Sequence, residues 1–325
     1  MTWMAWRQFR VQFQALGAVV LLLLAALALT ASHIVDLREV SNSAETFLSQ
    51  VRRGYAANLY LAGSAVLMLP PVIVGVFWGA PLVARELETG THRLAWNQSI
   101  TRTRWFAVRL GGVALATAVL AGAATVAFGW WASPIDAVAL DRLQPVNFGA
   151  RGIVPVGYAL FALAVGITAG LLLRRTIPAM AVTVAVVAAV QVLLPFGLRQ
   201  QLIPPVHTTV ALDMENLAEM GMTSDGEVRV VGNFEFPGAW MISNETVKPD
   251  GTPFVRLDDP TPCTRAADTP KACEAAVGAL NLQQSVVYQP PNRFWPLQLA
   301  ETGLLLAVAG LLTLLSFWWL RRRVT

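Results

Sequence analysis

Six long apolar stretches constrain the fold of this chain more than any other feature of its sequence. They cover about residues 13–32, 57–84, 106–131, 153–173, 177–198 and 294–320 of the 325-residue chain. A helix needs roughly 20 apolar residues to cross a hydrocarbon core about 30 Å thick, and each stretch meets that length. Only 14% of the residues are charged, against about 25% in soluble domains. The sequence therefore predicts an all-α polytopic membrane protein with about six transmembrane helices.

Arginine is distributed unevenly among the segments that connect these stretches. If the N-terminus lies in the cytoplasm, the cytoplasmic segments hold twelve arginines and two acids. The opposite segments then hold ten arginines, two lysines and 17 acids. Because cytoplasmic loops of membrane proteins carry the excess of Lys and Arg, we expect an N-in/C-in orientation.

The first twelve residues precede the first apolar stretch. Trp3, Trp6 and Phe9 recur at helical spacing, which indicates either a short interfacial helix over residues 1–12 or the aromatic end of the first transmembrane helix. Basic residues before an apolar run are also typical of a secretory signal, but this run is longer than a usual signal core.

The longest polar segment, residues 199–293, separates the fifth and sixth apolar stretches. Residues 227–236 alternate partly as a strand does, and Asp-Gly pairs at 225–226 and 250–251 are hairpin signals. Residues 213–221 favour a helix. Together these patterns predict a small, mainly β extracytoplasmic domain. The predicted organisation is therefore an interfacial N-terminal helix (1–12), five transmembrane helices with a cytoplasmic loop at 85–105 (13–198), the extracytoplasmic domain (199–293), and the sixth helix with a basic cytoplasmic tail (294–325).

Both cysteines of the chain, Cys263 and Cys273, lie in this extracytoplasmic segment, ten residues apart. Disulfides persist on the outer side of a membrane, so the position of the pair agrees with the orientation expected from arginine. The alternative is a pair of free or metal-binding cysteines, but a zinc site needs a second ligand pair that the sequence lacks. We therefore predict a Cys263–Cys273 disulfide.

The loop between the second and third apolar stretches is the longest cytoplasmic one. Its first part is compatible with a short amphipathic helix that ends near Gly90. Leu87, Leu94 and Trp96 are apolar groups that something must cover. The sequence leaves two interpretations open: a docking surface for a soluble partner, or an interfacial helix that rests on lipid headgroups.

Over residues 77–94 the sequence resembles the inner loop of type-2 (ABC-2-like) ABC exporter permeases, especially a group common in actinomycetes. The family pattern of a glutamate, a Gly-Thr pair and an apolar residue is matched by Glu86, Gly90, Thr91 and Leu94. The resemblance implies that this loop is a coupling helix, which inserts into a cytoplasmic ATP-binding-cassette ATPase. It also implies two ATPase copies and a second permease copy or paralogue in a bacterial cell membrane.

The sequence lacks the motifs of several enzyme classes. No Gly-x-x-x-x-Gly-Lys-Ser/Thr loop is present, so we expect no cofactor in this chain and place ATP and Mg²⁺ in the partner ATPase. No motif supports a membrane protease or acyltransferase, and no soluble basic segment carries the aromatics of nucleic-acid binding.

Together with the missing motifs, the resemblance implies a transport subunit without enzymatic activity of its own, which exports an amphipathic drug, peptide or lipid across the lipid bilayer. The alternative is a membrane-anchored receptor or sensor that presents the outer domain to extracellular peptide. An ion-coupled carrier is a third class, for which the sequence shows no inverted repeat or buried acid pair.

Two features interrupt the apolar stretches. Glu301 lies inside the sixth stretch, and an intramembrane acid is costly unless it is paired or functional. Pairing with Arg293 or Arg199, a gate or substrate contact, and proton coupling are all compatible with its position. Pro70 and Pro71 should kink the second helix, because proline lacks an N–H and clashes with the preceding turn.

Overall fold

The computed structural model describes residues 2–90, 101–139, 141–212, 217–222, 228–232, 236–255, 257 and 270–323. The chain divides into two compact units. The first, residues 1–202 and 294–325, is helical, and the second, residues 203–293, contains the strands.

The helices of the first unit follow the apolar stretches. Among the described residues, six helical spans are long and apolar enough to cross a membrane, as the sequence predicts. The elements of this unit are α1 (Thr2–Val40), α2 (Ala44–Arg53), α3 (Tyr55–Val66), α4 (Leu69–Ile73), a π-helical segment π1 (Val74–Gly79), α5 (Ala80–Thr89), α6 (Arg102–Ala139), α7 (Pro145–Gly149), α8 (Val154–Leu173), α9 (Thr176–Leu193), a second π-helical segment π2 (Leu194–Leu198), α10 (Arg199–Leu202) and α12 (Phe294–Arg322).

The first helix, α1, runs without a break from Thr2 to Val40. Residues 1–12 were expected to form a separate interfacial helix, and the structure shows no helix boundary at that point. No proline falls in this stretch to end the helix. The amphipathic helix α2 follows, capped by the Ser43 side chain, and it buries Phe47 and Val51.

Helix α8 lies at the centre of the first unit. In its most apolar window 78% of the residues are buried, whereas the corresponding value for α1 is 17%. Since apolar side chains gain little by leaving lipid, helices in a membrane associate through close packing of small residues. The packing around α8 is of this kind.

Four glycines form a seam between the second span and α8. They are Gly75 and Gly79 on π1 and Gly166 and Gly170 on α8. A Cβ atom on Gly79 would lie 2.8 Å from the Leu163 carbonyl oxygen, and one on Gly170 would lie 2.5 Å from the Ala80 carbonyl oxygen. The backbones of α5 and α8 are therefore in direct contact.

The second span is interrupted at Leu67 and Met68, and α4 restarts with Pro70 and Pro71 in its first turn. This is the position at which the sequence places a kink. Gln191 on α9 donates a hydrogen bond of 2.8 Å to the Met68 carbonyl oxygen. A side chain of a neighbouring helix thus satisfies a backbone acceptor beside the interruption.

The second unit is mainly β, as predicted. Its elements are β1 (Val206–Ala211), β2 (Leu217–Met222), β3 (Val228–Gly232), β4 (Trp240–Val247), α11 (Pro270–Gly278) and β5 (Gln283–Gln289). An antiparallel sheet has the order β1-β5-β4, and β2 pairs with β3 in a two-stranded ribbon. The Asp-Gly pair at 250–251 forms a turn after β4, with Gly251 at φ 82° and a bridge between Val247 and Pro253.

One prediction in this unit is wrong. Residues 213–221 were expected to favour a helix, but Leu217–Met222 form strand β2. The strand pairs with β3 from Met222 opposite Val228 to Leu217 opposite Gly232. Cross-strand pairing outweighs the local preference here, because strand stability depends on neighbouring strands more than on composition.

Candidate functional site

The predicted coupling loop begins at the last turn of α5. This helix ends at Thr89, and Gly90 follows with φ 73°, a left-handed conformation that glycine adopts without steric cost. The helix therefore ends where the sequence indicated. Thr91, Leu94 and Trp96 lie outside the described residues, so the structure places only the two ends of the predicted loop.

Glu86 forms an ion pair within the chain. Its carboxylate accepts from the Arg109 guanidinium on α6, and only 16% and 13% of the two side chains are exposed. The same guanidinium lies 4.4 Å from the centre of the Trp105 ring, a cation–π contact. The sequence suggested a partner for Glu86 in another protein, whereas the structure shows one on the neighbouring helix.

Leu87 also faces the bundle. It packs, partly buried, against a cluster that includes Trp78, Leu82 and Phe106. The sequence predicts an exposed apolar anchor at Leu87, whereas in the structure Leu87 packs the end of α5 against the helices around it. An apolar contact surface for a partner must therefore come from other residues.

Glu88 caps the N-terminus of α9, a role that the sequence does not predict. Its Oε2 accepts from the Thr176 backbone N–H at 3.0 Å and from the Thr176 hydroxyl at 2.7 Å. Thr176 is the first residue of α9, and the first N–H groups of a helix have no partner inside it. No local sequence signal predicts this cap, because the two residues are 88 positions apart.

Glu301 is completely buried and paired with Arg199. The Arg199 Nε and Nη2 atoms donate to the two carboxylate oxygens at 2.5 and 2.9 Å. The Tyr158 hydroxyl donates to Oε1 at 3.0 Å, so the ion pair joins α8, α10 and α12. Of the predicted partners, the structure selects Arg199. Arg293 instead donates to the Gln289 side chain and the Pro204 carbonyl oxygen.

The remaining Arg199 donor also has a partner. Its Nη1 donates to the Pro145 carbonyl oxygen at 3.1 Å, and the guanidinium lies 4.3 Å from the centre of the Phe148 ring. On α12, the Gln298 amide accepts from the Val154 N–H at 3.0 Å and donates to the Phe148 carbonyl oxygen at 3.2 Å. The short helix α7 is thus hydrogen-bonded to Arg199 and to Gln298, which lies three residues before Glu301 on α12.

A second buried ion pair lies between Asp136 on α6 and Arg151. The Arg151 Nε donates to Asp136 Oδ2 at 2.9 Å, and the Tyr60 hydroxyl donates to Oδ1 at 2.7 Å. The guanidinium lies 4.4 Å from the Phe128 ring centre. The sequence does not predict this pair, because the third apolar stretch ends near residue 131, whereas α6 continues to Ala139.

Both ion pairs have the same composition. In each, a tyrosine hydroxyl and an arginine donate to one carboxylate, and the arginine stacks on a phenylalanine. Asp141 lies near the Asp136 pair, and burial followed by the Asp136 charge raises the pKa of its carboxyl. Within the described residues, no group of three or more His, Cys, Asp or Glu side chains could hold a metal ion.

Of the two cysteines, only Cys273 lies in a described part of the chain. It is buried, it is not a free thiol, and it packs in the core of the second unit with Phe254, Val277 and Leu282. Cys263 lies outside the described residues, so its pairing with Cys273 stays a prediction.

Comparison with known proteins gives one result. The family model described as ABC-2 membrane transporter related matches residues 11–199, which is more than half of the chain. No curated protein and no solved structure gives a significant match to this sequence.

Proposed function

Because this chain belongs to the ABC-2 membrane transporter related family, we propose that it is the permease of an ATP-driven exporter. Family membership and the six apolar helices make it a multi-pass membrane protein, a permease subunit that associates with an ATPase subunit. The proposal adds outward transport of an amphipathic drug, peptide or lipid. Two ATPase copies, which bind ATP and Mg²⁺, would drive two permeases in a bacterial cell membrane.

The observation that carries this proposal is the junction at the end of α5. Glu86 binds α6, Glu88 binds α9, and the glycine seam holds α5 against α8. The segment that resembles a coupling helix follows immediately. A force applied to that segment would reach three helices through contacts that are already formed, which is what a coupling element requires.

The interruption in the second span is the place where the proposal requires a path for cargo to open. Two small cavities flank it and share Leu67, Pro71 and Pro155 in their lining. The lining of one is almost entirely apolar, and the other includes Tyr158 and Arg199. An apolar region next to polar groups suits an amphipathic molecule. Widening of this region during transport is part of the proposal.

The arginine distribution supports placing the Gly90 end of the bundle in the cytoplasm. Residues 203–293 would then lie on the extracytoplasmic side, where the predicted disulfide would persist. Labelling of single cysteines at Thr89, Thr176 and Thr252 tests this orientation. We expect the first two to react only from the cytoplasm and Thr252 only from outside.

Co-purification tests the function itself. The permease is expressed with the ATPase encoded beside its gene, and retention of the ATPase is measured for the wild type, Glu86→Ala and Leu94→Asp. Glu86→Ala should weaken retention because it removes the ion pair that fixes the end of α5 to α6. Leu94→Asp should weaken it because a charge replaces an apolar residue of the predicted coupling helix. Arg109→Ala breaks the same ion pair from its other member and should weaken retention to a similar extent, whereas Gly310→Ala, on the exposed side of α12, is the control. Full retention in both variants would contradict the proposed role of this loop.

A further inference from the structure

We infer that Glu88 is a positioning residue, which transmits displacement of the α5 end to helix α9. The inference rests on the proposed function, because the displacement is the one that an ATPase would impose beyond Gly90. It extends that function to a residue outside the resembling pattern of Glu86, Gly90, Thr91 and Leu94.

The first step is the geometry of the cap. Thr176 offers two donors, its backbone N–H and its hydroxyl, and Glu88 Oε2 accepts both. The residue before the helix, Arg175, is extended and makes no side-chain cap. An acid on another helix therefore does what the preceding Ser, Thr, Asp or Asn usually does. The negative charge is also favourable at a helix N-terminus.

The second step is the position of Glu88 on α5. Residues two apart in an α-helix point about 200° apart around its axis. Glu86 and Glu88 therefore hold helices on opposite sides of the same turn, α6 through Arg109 and α9 through Thr176. A rotation or shift of that turn must change the distance to one of them.

The third step is what lies along α9. Ala179 packs against Ala80 of α5 and Ala169 of α8. Gln191 is hydrogen-bonded to the Met68 carbonyl oxygen, so α9 is attached to the second span along its length as well as at the cap. After π2 it leads to Arg199, whose guanidinium is bonded to Glu301. A helix held firmly at its far end and capped at its near end transmits movement of the cap along its length.

Hydrogen exchange of the permease–ATPase complex tests this inference. Exchange of the backbone amides at residues 176, 177, 179 and 180 (residue 178 is proline and has none) is compared with and without ATP and vanadate, in the wild type, Glu88→Ala and Glu88→Gln. Glu45→Ala, which removes an exposed acid from the first turn of α2, is the control. Retention of the ATPase is measured on the same samples.

In the wild type, nucleotide trapping should change exchange at the start of α9. In Glu88→Ala that response should disappear while the ATPase stays bound, and exchange in the nucleotide-free state should rise about fivefold, the factor that loss of one cap carries. Glu88→Gln should restore part of the response, because an amide oxygen still accepts from Thr176.

Two results would overturn the inference. An unchanged nucleotide response in Glu88→Ala would show that the cap transmits nothing, and loss of the ATPase would make Glu88 a partner contact instead. Failure of the proposed function is distinguishable from both, since the wild-type permease would then not retain the ATPase. The inference would fall with it, whereas the nucleotide-free exchange would still show whether the cap exists.

Discussion

Replacing Gly166 by alanine tests whether the glycine seam holds the second span against α8. The added Cβ would collide with the Gly75 carbonyl oxygen and would lie 2.7 Å from the Ala80 backbone nitrogen. Both atoms belong to the backbone, so no side-chain rotation relieves the contact. The two helices must separate, and the packing at Gly79 and Gly170 loosens with them.

The magnitude follows from two opposing effects. Overpacking of a close contact costs about 1–3 kcal/mol, and the upper end applies here because two backbone atoms are affected. Alanine gains about 1 kcal/mol over glycine in a helix. The free energy of unfolding should therefore fall by about 2 kcal/mol. For the helical unit, residues 1–202 and 294–325, that corresponds to a fall in melting temperature of roughly 4–8 °C.

Thermal unfolding of the purified protein in detergent, followed by tryptophan fluorescence at a fixed heating rate, measures this change. Gly310→Ala is the matched control, because a Cβ at that position on α12 meets nothing within 4 Å. It should leave the melting temperature unchanged or raise it slightly. If Gly166→Ala melts at or above the temperature of Gly310→Ala, the seam does not hold the two helices together.

Three further predictions concern the polar groups. Glu301→Ala should lower the free energy of unfolding by about 3–5 kcal/mol, because it leaves the buried Arg199 charge unpaired. The same melting assay checks this, and a loss below about 1 kcal/mol would contradict the buried pair. Asp141→Asn should stabilise the protein near neutral pH but not below about pH 4. Because the pKa of Asp141 is raised in the folded state, its ionised carboxyl destabilises the folded protein at neutral pH. At low pH the carboxyl is protonated in both the folded and the unfolded state, so this cost is absent. Mass spectrometry of unreduced protein should detect a peptide crosslinked through Cys263 and Cys273, and complete alkylation of both without reductant would exclude it.

Structural features that depend only on neighbouring residues could be predicted from the sequence. The six spans follow from apolar length, and α9 and α12 begin within one residue of the predicted positions at 177 and 294. The turn at 250–251 follows from glycine chemistry, since Gly251 adopts φ 82°. Each of these depends on neighbours along the chain, so the sequence alone contains the signal.

Contacts between distant segments were not predictable in the same way. Glu301 stood out because an acid is rare in an apolar stretch, but only the fold selects Arg199, 102 positions away, as its partner. Asp136 lies five residues beyond the predicted end of its helix and was counted among polar loop residues. The Glu88 cap on Thr176 likewise requires that α5 and α9 be adjacent. Pairing across the bundle depends on packing, for which a single sequence gives no register.

The two buried ion pairs constrain the segment between α6 and α8. A buried pair often adds no more stability than a well-packed apolar replacement, whereas breaking it leaves an uncompensated charge. The segment from Pro145 to Arg151 contributes Arg151 to one pair and contacts Arg199 of the other through Pro145 and Phe148. Movement of this segment would strain both pairs together. Through this segment the two buried ion pairs connect the third span, which carries Asp136, to the fifth and sixth spans, which carry Arg199 and Glu301.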